Sequence, residues 1–235
     1  MKISLLHATR GTPDRANATR ESWLSRASDR SMIEHLWAIQ AGDTTSTALD
    51  PDSIVAVTDD PPAWASSSVA NWNAAAALAT GDLLVVIADD LTPPIGWDET
   101  LRVFLGNPNT ASTQFCVYVP DQLSNDGLLR HPIMSRALYQ RRGYIFDPEY
   151  YGVFCDNDLT TWCQFNRVPV YRIDPHRLQF YHDHDMTGNS VTAQQNREEA
   201  YDWGYAIYME KWGAIIPHKV EQTHSVWIGP REFGA

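Results

Sequence analysis

The run GDLLVVIADDLTPP, Gly81 to Pro94, decides how this chain is read. Leu83 to Ile87 are apolar without a break, Ala88 follows, and the chain then carries two adjacent aspartates, Asp89 and Asp90, before Pro93 and Pro94. An unbroken apolar run of this length, opened by a Gly-Asp turn and closed by prolines, reads as a buried strand. In open α/β sheets, ligands bind beyond the carboxyl ends of the strands. A strand that delivers paired carboxylates to that edge therefore proposes both a fold and a site.

The flanking segments agree. Ile3 to Ala8 reads as a first strand, and Pro13 and Asp14 then start a helix with Ala16, Thr19, Trp23 and Ala27 at helical spacing. Ile33 to Asp43 is a second strand ending in a Gly-Asp turn, and Ser53 to Asp60 a third, closed by Pro61 and Pro62. Serine caps open an Ala-rich helix from about Val69 to Ala79, stopped by Gly81. With the opening stretch as fourth strand, this order predicts an open α/β sheet with parallel pairs. Beyond it the pattern gives a helix over Trp97 to Leu105, a strand over Phe115 to Val119 and a helix from about Ser135 to Arg142. A helix from about Leu159 to Asn166, a strand over Val168 to Ile173 and a helical tail follow, the tail carrying Tyr201, Tyr205, Tyr208 and Trp212 on one face.

The chain has 235 residues, enough for one substantial domain with an appended arm, and its 43% hydrophobic and 20% charged content is that of a soluble globular protein. A net charge of −11 argues against general attraction to nucleic acid or anionic lipid, so a polyanionic ligand needs a local arginine cluster or a divalent cation. Three cysteines, odd in number and without metal-ligand spacing, fit reduced thiols in a cytoplasmic protein. The opening MKISLLHATRG is too short in apolar residues for a signal peptide, and no run approaches the roughly 20 apolar residues of a membrane span. The expectation is a soluble chain with no membrane partner. Nine Trp and ten Tyr suggest a large core and stacking surfaces for planar or sugar-like ligands.

Polar residues past the strand ends should converge: Thr9 and Arg10 after the first, Asp43 after the second, Asp59 and Asp60 after the third, Asp89 and Asp90 after the fourth. Carboxylates gathered in this way repel unless a cation joins them, and oxygen ligands suit Mg²⁺ or Mn²⁺. For Asp43, Asp59 and Asp60, simple turn capping accounts equally well. YHDHD adds His182 and His184, which on an extended segment face the same side.

The first strand with TRGTPDR, the NWNAAAALATGD helix and the apolar strand ending in ADD together resemble the nucleotide-sugar half of GT-A glycosyltransferases. The likeness is to family-2-like enzymes, in particular small stand-alone phage forms. It continues through HPIMSRALYQRRGYIFDPEYYGVFCDNDLTTW to HDH and QQNREEAYDWG, so it covers most of the chain. The resemblance implies a GT-A α/β fold, a mostly parallel mixed open sheet flanked by helices. It implies a catalytic domain over 1–190 (a nucleotide-sugar half over about 1–92, an acceptor half over 93–190) and a helical extension over 191–235 packed on it. Carried over by position, Thr9 and Arg10 lie by the base or phosphate, Asp43 near the nucleoside, and Asn73 on the helix before the metal strand. The family's Asp-x-Asp motif has Ile87 at its first position here, which leaves Asp89 as leading metal and diphosphate ligand and Asp90 as second. The family's Glu-Asp pair aligns with Cys155 and Asp156, making Asp156 the catalytic base, with Asp158 orienting the loop or capping the helix. A late His completes the metal shell in related enzymes, and either His182 or His184 can take that part.

The implied activity is a metal-dependent, inverting hexosyl transfer from a nucleoside-diphosphate sugar to an acceptor hydroxyl, with Mn²⁺ or Mg²⁺ as cofactor. A metal-dependent phosphoesterase or nuclease, and a non-catalytic nucleotide-sugar-binding module, are the competing readings. For the acceptor, the phage-type likeness suggests a hydroxymethylated pyrimidine in DNA, gripped by Arg130, Arg136, Arg141 and Arg142; a glycan or a protein hydroxyl are the alternatives.

Overall fold

A computed structural model describes residues 1–106, 109–110, 112–183 and 198–214. The first half alternates as the sequence predicts: β1 (Ile3–Ala8), α1 (Pro13–Ser25), β2 (Ile33–Gln40), β3 (Ile54–Thr58), α2 (Ser68–Leu78) and β4 (Leu83–Ala88). These four strands lie in the order β3-β2-β1-β4, all parallel. The run that opened the reading is buried on both faces. Leu84 and Val86 join one core with Leu6, Leu36 and the α2 residues Val69, Ala75 and Ala76. Leu83, Val85 and Ile87 join the other with Ile3, Leu5, Trp23 of α1 and Trp97. Alternate side chains thus feed two different cores, which is why the strand is apolar at every position.

The second half is built from short pieces: β5 (Leu91–Thr92), α3 (Trp97–Leu105), β6 (Cys116–Tyr118), β7 (Ile133–Ser135), α4 (Arg136–Arg142), α5 (Cys155–Phe165), β8 (Val170–Arg172), β9 (Tyr181–His182) and α6 (Glu198–Trp212). The sheet continues β4-β7-β6-β8, with β7 antiparallel to both its neighbours and β6 parallel to β8. The result is a seven-stranded, mostly parallel mixed sheet flanked by helices. A two-stranded ribbon, β5 with β9, stands beside it.

Three features depart from the sequence reading. The turn after β4 is made by Asp89 and Asp90 themselves, and Leu91–Thr92 pairs as a strand before the prolines act. Strand β7 lies inside HPIMS, where three residues are too few to carry a period. Helix α5 begins four residues before Leu159, which puts Asp156 in its first turn. The residue before α5, Phe154, adopts φ 68°, left-handed backbone that a non-glycine residue holds only under tertiary constraint.

Helix α6 lies against α5. The hydroxyls of Tyr208 and Thr161 are 2.8 Å apart, and Trp212 Nε1 donates to Asp158 Oδ1 at 2.8 Å. Tyr208 and Trp212, from the expected aromatic face, are buried, while Tyr201 and Tyr205 are half-buried. The expected boundary near 190 falls outside the described residues. Cys116, Cys155 and Cys163 are buried free thiols. Among the described residues, no helix is long and apolar enough to cross a membrane.

Candidate functional site

The register of the parallel strands assembles the first part of the site. Ala8 pairs with Ala88, so Thr9 and Asp89 emerge side by side at the carboxyl edge. Thr9 Oγ1 and Thr12 Oγ1 donate to Asp89 Oδ2 at 2.9 and 2.6 Å, and His7 Nε2 lies 2.8 Å from Oδ1. Behind His7, its Nδ1 is 3.0 Å from His35 Nε2, and His35 Nδ1 is 2.9 Å from Ser53 Oγ, which itself accepts from Arg20 Nε. Burial, then the neighbouring His7 and Arg20 charges, hold His35 well below the usual imidazole range, so it is neutral. One proton order then satisfies the whole chain: Arg20 to Ser53, Ser53 to His35, His35 to His7, and His7 to Asp89. Both carboxylate oxygens of Asp89 are therefore committed within the protein.

Asp90 belongs to a different cluster. The β5–β9 ladder pairs Leu91 with His182, and Asp183 N donates to Asp90 O at 2.8 Å, which brings His182 beside Asp90. His182 Nε2 stands 3.5 Å from Asp90 Oδ2, and its Nδ1 lies 3.2 Å from Asp121 Oδ2. Gln122 clips the His182 backbone from both sides, donating to its carbonyl at 2.6 Å and accepting from its N–H at 2.7 Å. Burial opposes charge on His182, but the hydrogen bonds and charges of Asp121 and Asp90 outweigh it and raise the imidazole to about 9. Burial likewise opposes charge on Asp121, yet His182 and the N–H groups of Ser124 and Leu123 hold it at about 2. The His131 ring meets His182 edge-on at 5.1 Å, and desolvation plus the His182 charge keep it at about 4. Its buried Nδ1 has no hydrogen-bond partner.

This cluster has the chemistry of a cation site. A carboxylate holding the far nitrogen of an imidazole is the usual support for a metal-ligating histidine. Asp90, His182 and neutral His131 form a mixed oxygen and nitrogen donor set, which suits Mn²⁺ better than Mg²⁺. Among the described residues, no three His, Cys, Asp or Glu side chains already converge as a cage. A cation here would draw its remaining ligands from substrate phosphates and water, the common arrangement for such ions. His184 lies outside the described residues.

The third part is Asp156. Its Oδ1 accepts from Asn157 N at 3.0 Å, and its Oδ2 lies 3.9 Å from Arg130 Nε. Desolvation raises its carboxyl above the ordinary range, and the Arg130 charge only partly offsets this. Arg130 is held by Asp126 through two bonds of 2.9 and 2.6 Å and also feels the charge of Asp121, so it links Asp156 electrostatically to the His182 cluster. Asp158 is an anchor: it is buried, accepts from Trp212 and from Tyr150 at 3.4 Å, and lies 4.0 Å from Arg142.

The other predicted residues divide. Asp43 Oδ2 accepts from Gly11 N at 3.1 Å and Oδ1 from Thr45, which ties the β2 edge to the loop after β1; Arg10 adds to these in lowering its carboxyl against burial. Thr9, Arg10, Asp43, Asp89 and Asp90 thus share one sheet edge. Asn73 does not reach it: its amide donates to Phe146 O at 2.7 Å and accepts from Ile145 N and Phe146 N, so it clamps the acceptor-side loop to α2. The four arginines expected to grip phosphate are engaged elsewhere. Arg130 holds Asp126, Arg136 donates to the carbonyls of Gly81 and Ala79, and Arg141 bonds Gln114 and Asn166. Arg142 is buried over the Trp162 ring at 4.2 Å. His7, Thr12, Asp121, Gln122 and His131 were not singled out by sequence; only His7, at a core-facing position of β1, carried a signal.

No protein-family model matches the chain, and no curated protein matches it by sequence. Solved structures do match. Staphylococcus aureus TarS 1-349 in complex with UDP-GlcNAc superposes with TM-score 0.66 at 12% identity, over 92% of this chain and 68% of that one. The mannosyltransferase PcManGT from Pyrobaculum calidifontis, in complex with GDP-Man and Mn²⁺, gives 0.57 at 16% identity, over 80% and 58%. The catalytic domain of Drosophila β1,4-galactosyltransferase 7, in complex with xylobiose, gives 0.52 at 15% identity, over 78% and 71%. The likeness establishes the GT-A glycosyltransferase fold.

Proposed function

We propose that this protein is a metal-dependent, inverting glycosyltransferase that moves a hexose from a nucleoside-diphosphate sugar to an acceptor hydroxyl. The observation that carries the reading is the contrast at the edge of β4: Asp89 is closed by His7, Thr9 and Thr12, whereas Asp90 meets an imidazole backed by a carboxylate. The nucleotide sugars in the similar structures, UDP-GlcNAc and GDP-Man, and the Mn²⁺ beside the latter, support the same reading. Asp90 and His182 hold the cation, with His131 beside them, and Asp89 buttresses the turn. This reverses the order expected from sequence. Thr9, Arg10 and Asp43 line the nucleotide side, and Asn73 acts as a loop clamp.

When bound, the cation neutralises charge that grows on the departing diphosphate. Asp156 accepts the proton of the acceptor hydroxyl. The acceptor oxygen bonds to the anomeric carbon as the bond to the nucleoside diphosphate breaks from the opposite side. Desolvation suits Asp156 to this step because it makes the carboxylate more basic. A modified DNA base, a glycan and a protein hydroxyl all meet the requirements of that step. Three buried free thiols fit work in the reducing cytoplasm.

The test is thermal unfolding with UDP- and GDP-sugars, each with Mn²⁺ or Mg²⁺. A ligand bound only by the native state raises the midpoint, by an amount equivalent to roughly 2.7 kcal/mol at a hundredfold excess over Kd. Stabilisation that needs both nucleotide and cation is expected, and its absence across the panel would sink the reading.

A further inference from the structure

Three aromatic rings from three separate segments meet close to the start of α5. Trp64 follows β3, Tyr151 precedes α5, and Trp203 is on α6. Their centroids lie 5.3 Å (Trp64 to Tyr151), 5.8 Å (Trp64 to Trp203) and 6.1 Å (Tyr151 to Trp203) apart. The cluster is not core. Trp203 is 46% exposed, and Trp64 and Tyr151 are half-buried. The Trp203 ring is nonetheless fixed, because its Nε1 donates to Glu149 O at 3.1 Å.

All three segments are pinned to the short stretch that feeds Asp156. A Cβ at Gly152 would lie 3.3 Å from both Ser66 Cβ and Ser68 Oγ, so the loop bearing Trp64 abuts the residue after Tyr151. A Cβ at Gly204 would lie 2.7 Å from Val153 O, so α6 touches the same stretch one residue beyond Trp203. Tyr201, two residues before Trp203, feels the Asp156 carboxylate. The cluster therefore sits on segments that converge on the stretch leading into Asp156, and it leaves aromatic surface exposed there.

We propose that Trp64, Tyr151 and Trp203 form the acceptor platform and that its ligand is an uncharged saccharide. The charge around the cluster selects this ligand class. Glu149, whose carbonyl holds the Trp203 ring, and Asp202, next to Trp203 in the chain, are both exposed, and Lys211 is shared between Asp147 and Glu149. Carboxylates accept hydrogen bonds from sugar hydroxyls and repel phosphates. Ring faces cover the apolar C–H face of a sugar, as they cover other apolar surface. A nucleic-acid acceptor would need free arginines, and Arg130, Arg136, Arg141 and Arg142 are engaged within the fold.

The word acceptor rests on the glycosyltransferase reading, and the experiment separates the two. Isothermal titration of the full chain would use xylobiose, chitotriose and maltotriose, with a hydroxymethylcytosine-containing single-stranded oligonucleotide as the competing class. Binding of at least one saccharide is expected, weakened about tenfold or more in Trp203→Ala and in Trp64→Ala and largely restored in Trp203→Phe, which keeps a ring. No saccharide binding, binding indifferent to these variants, or ring-dependent binding of the oligonucleotide alone would each overturn the proposal. Wild-type stabilisation by UDP or GDP with Mn²⁺ is read separately. Its loss alongside ring-dependent saccharide binding would sink the transferase reading and leave a saccharide site standing.

Discussion

Asp89 and Asp90 are adjacent in the chain and belong to different regions of the molecule. Asp89 faces back into the parallel half, where His7, Thr9 and Thr12 fill its oxygens and a buried relay runs through His35 to Arg20. Asp90 faces forward to the mixed half, where His182, Asp121 and His131 come from three short segments. The first region is closed: its polar groups satisfy one another and hold a shape. The second keeps a charged imidazole between two carboxylates, an arrangement that a divalent cation and a diphosphate could replace. A cluster whose bonds are already complete is structural even when its residues look catalytic.

That contrast is breakable by substitution. Asp90→Asn should lower kcat about 10³-fold, since it removes a carboxylate from the proposed cation site, worth several kcal/mol of leaving-group stabilisation. Its urea midpoint should stay near wild type. Should Asp90→Asn retain turnover, the cation site is elsewhere. Asp156→Asn comes next, with turnover down about 10²- to 10³-fold and nucleotide-dependent stabilisation preserved. Because burial raises the Asp156 carboxyl, the wild-type rate should fall on the acid side at a pH above the ordinary aspartate value, as the base becomes protonated. A flat acid limb would remove Asp156 from proton transfer.

Asp89→Ala should do the opposite of Asp90→Asn. It leaves three donors, on His7, Thr9 and Thr12, without their acceptor at a mostly covered site, and should cost about 3 kcal/mol of stability by urea unfolding. Equal stability losses for the two aspartates would erase the distinction between the regions.

The same division governs what could be read from the sequence. The parallel half was legible because β1 and β4 are buried on both faces, β2 over most of its length, and each helix repeats over several turns, so the patterns had room to show even though β3 lies exposed at the sheet edge. In the mixed half, β6, β7 and β8 have three residues each, and β5 and β9 two, too short for any pattern. His182 stood out as half of a His-x-His. Asp121 sits in PDQLS and reads as an ordinary turn; only its contact with His182 gives it a part in the site. Asn73 was placed on the right helix, but its partners at Ile145 and Phe146 are more than 70 residues away, beyond any local signal. The order of Asp89 and Asp90 depended on the Ala8–Ala88 register and on the β5–β9 pairing, both tertiary facts.

The smallest expected effect probes the parallel half away from its ligand edge. Glu34, near the start of β2, accepts from Ser4 Oγ at 2.6 Å, Thr80 N at 2.8 Å, Thr80 Oγ1 at 2.7 Å and Lys2 Nζ at 3.0 Å. Burial alone would raise its carboxyl, but these donors prevail and hold it at about 2, against 4.5 when unperturbed. A depressed folded value stabilises the protein above pH 4.5, and the contribution is lost as pH falls through about 2. Glu34→Gln should therefore cost about 1–2 kcal/mol at pH 7, discounted for partial solvent screening, with the deficit shrinking as wild type and variant are compared at progressively lower pH. Turnover per folded molecule should not change, because Glu34 lies at the opposite end of the strands from Thr9 and Asp89. A loss of activity in folded Glu34→Gln would mean that strain at the far edge reaches the ligand edge, and the parallel half could no longer be treated as a rigid support.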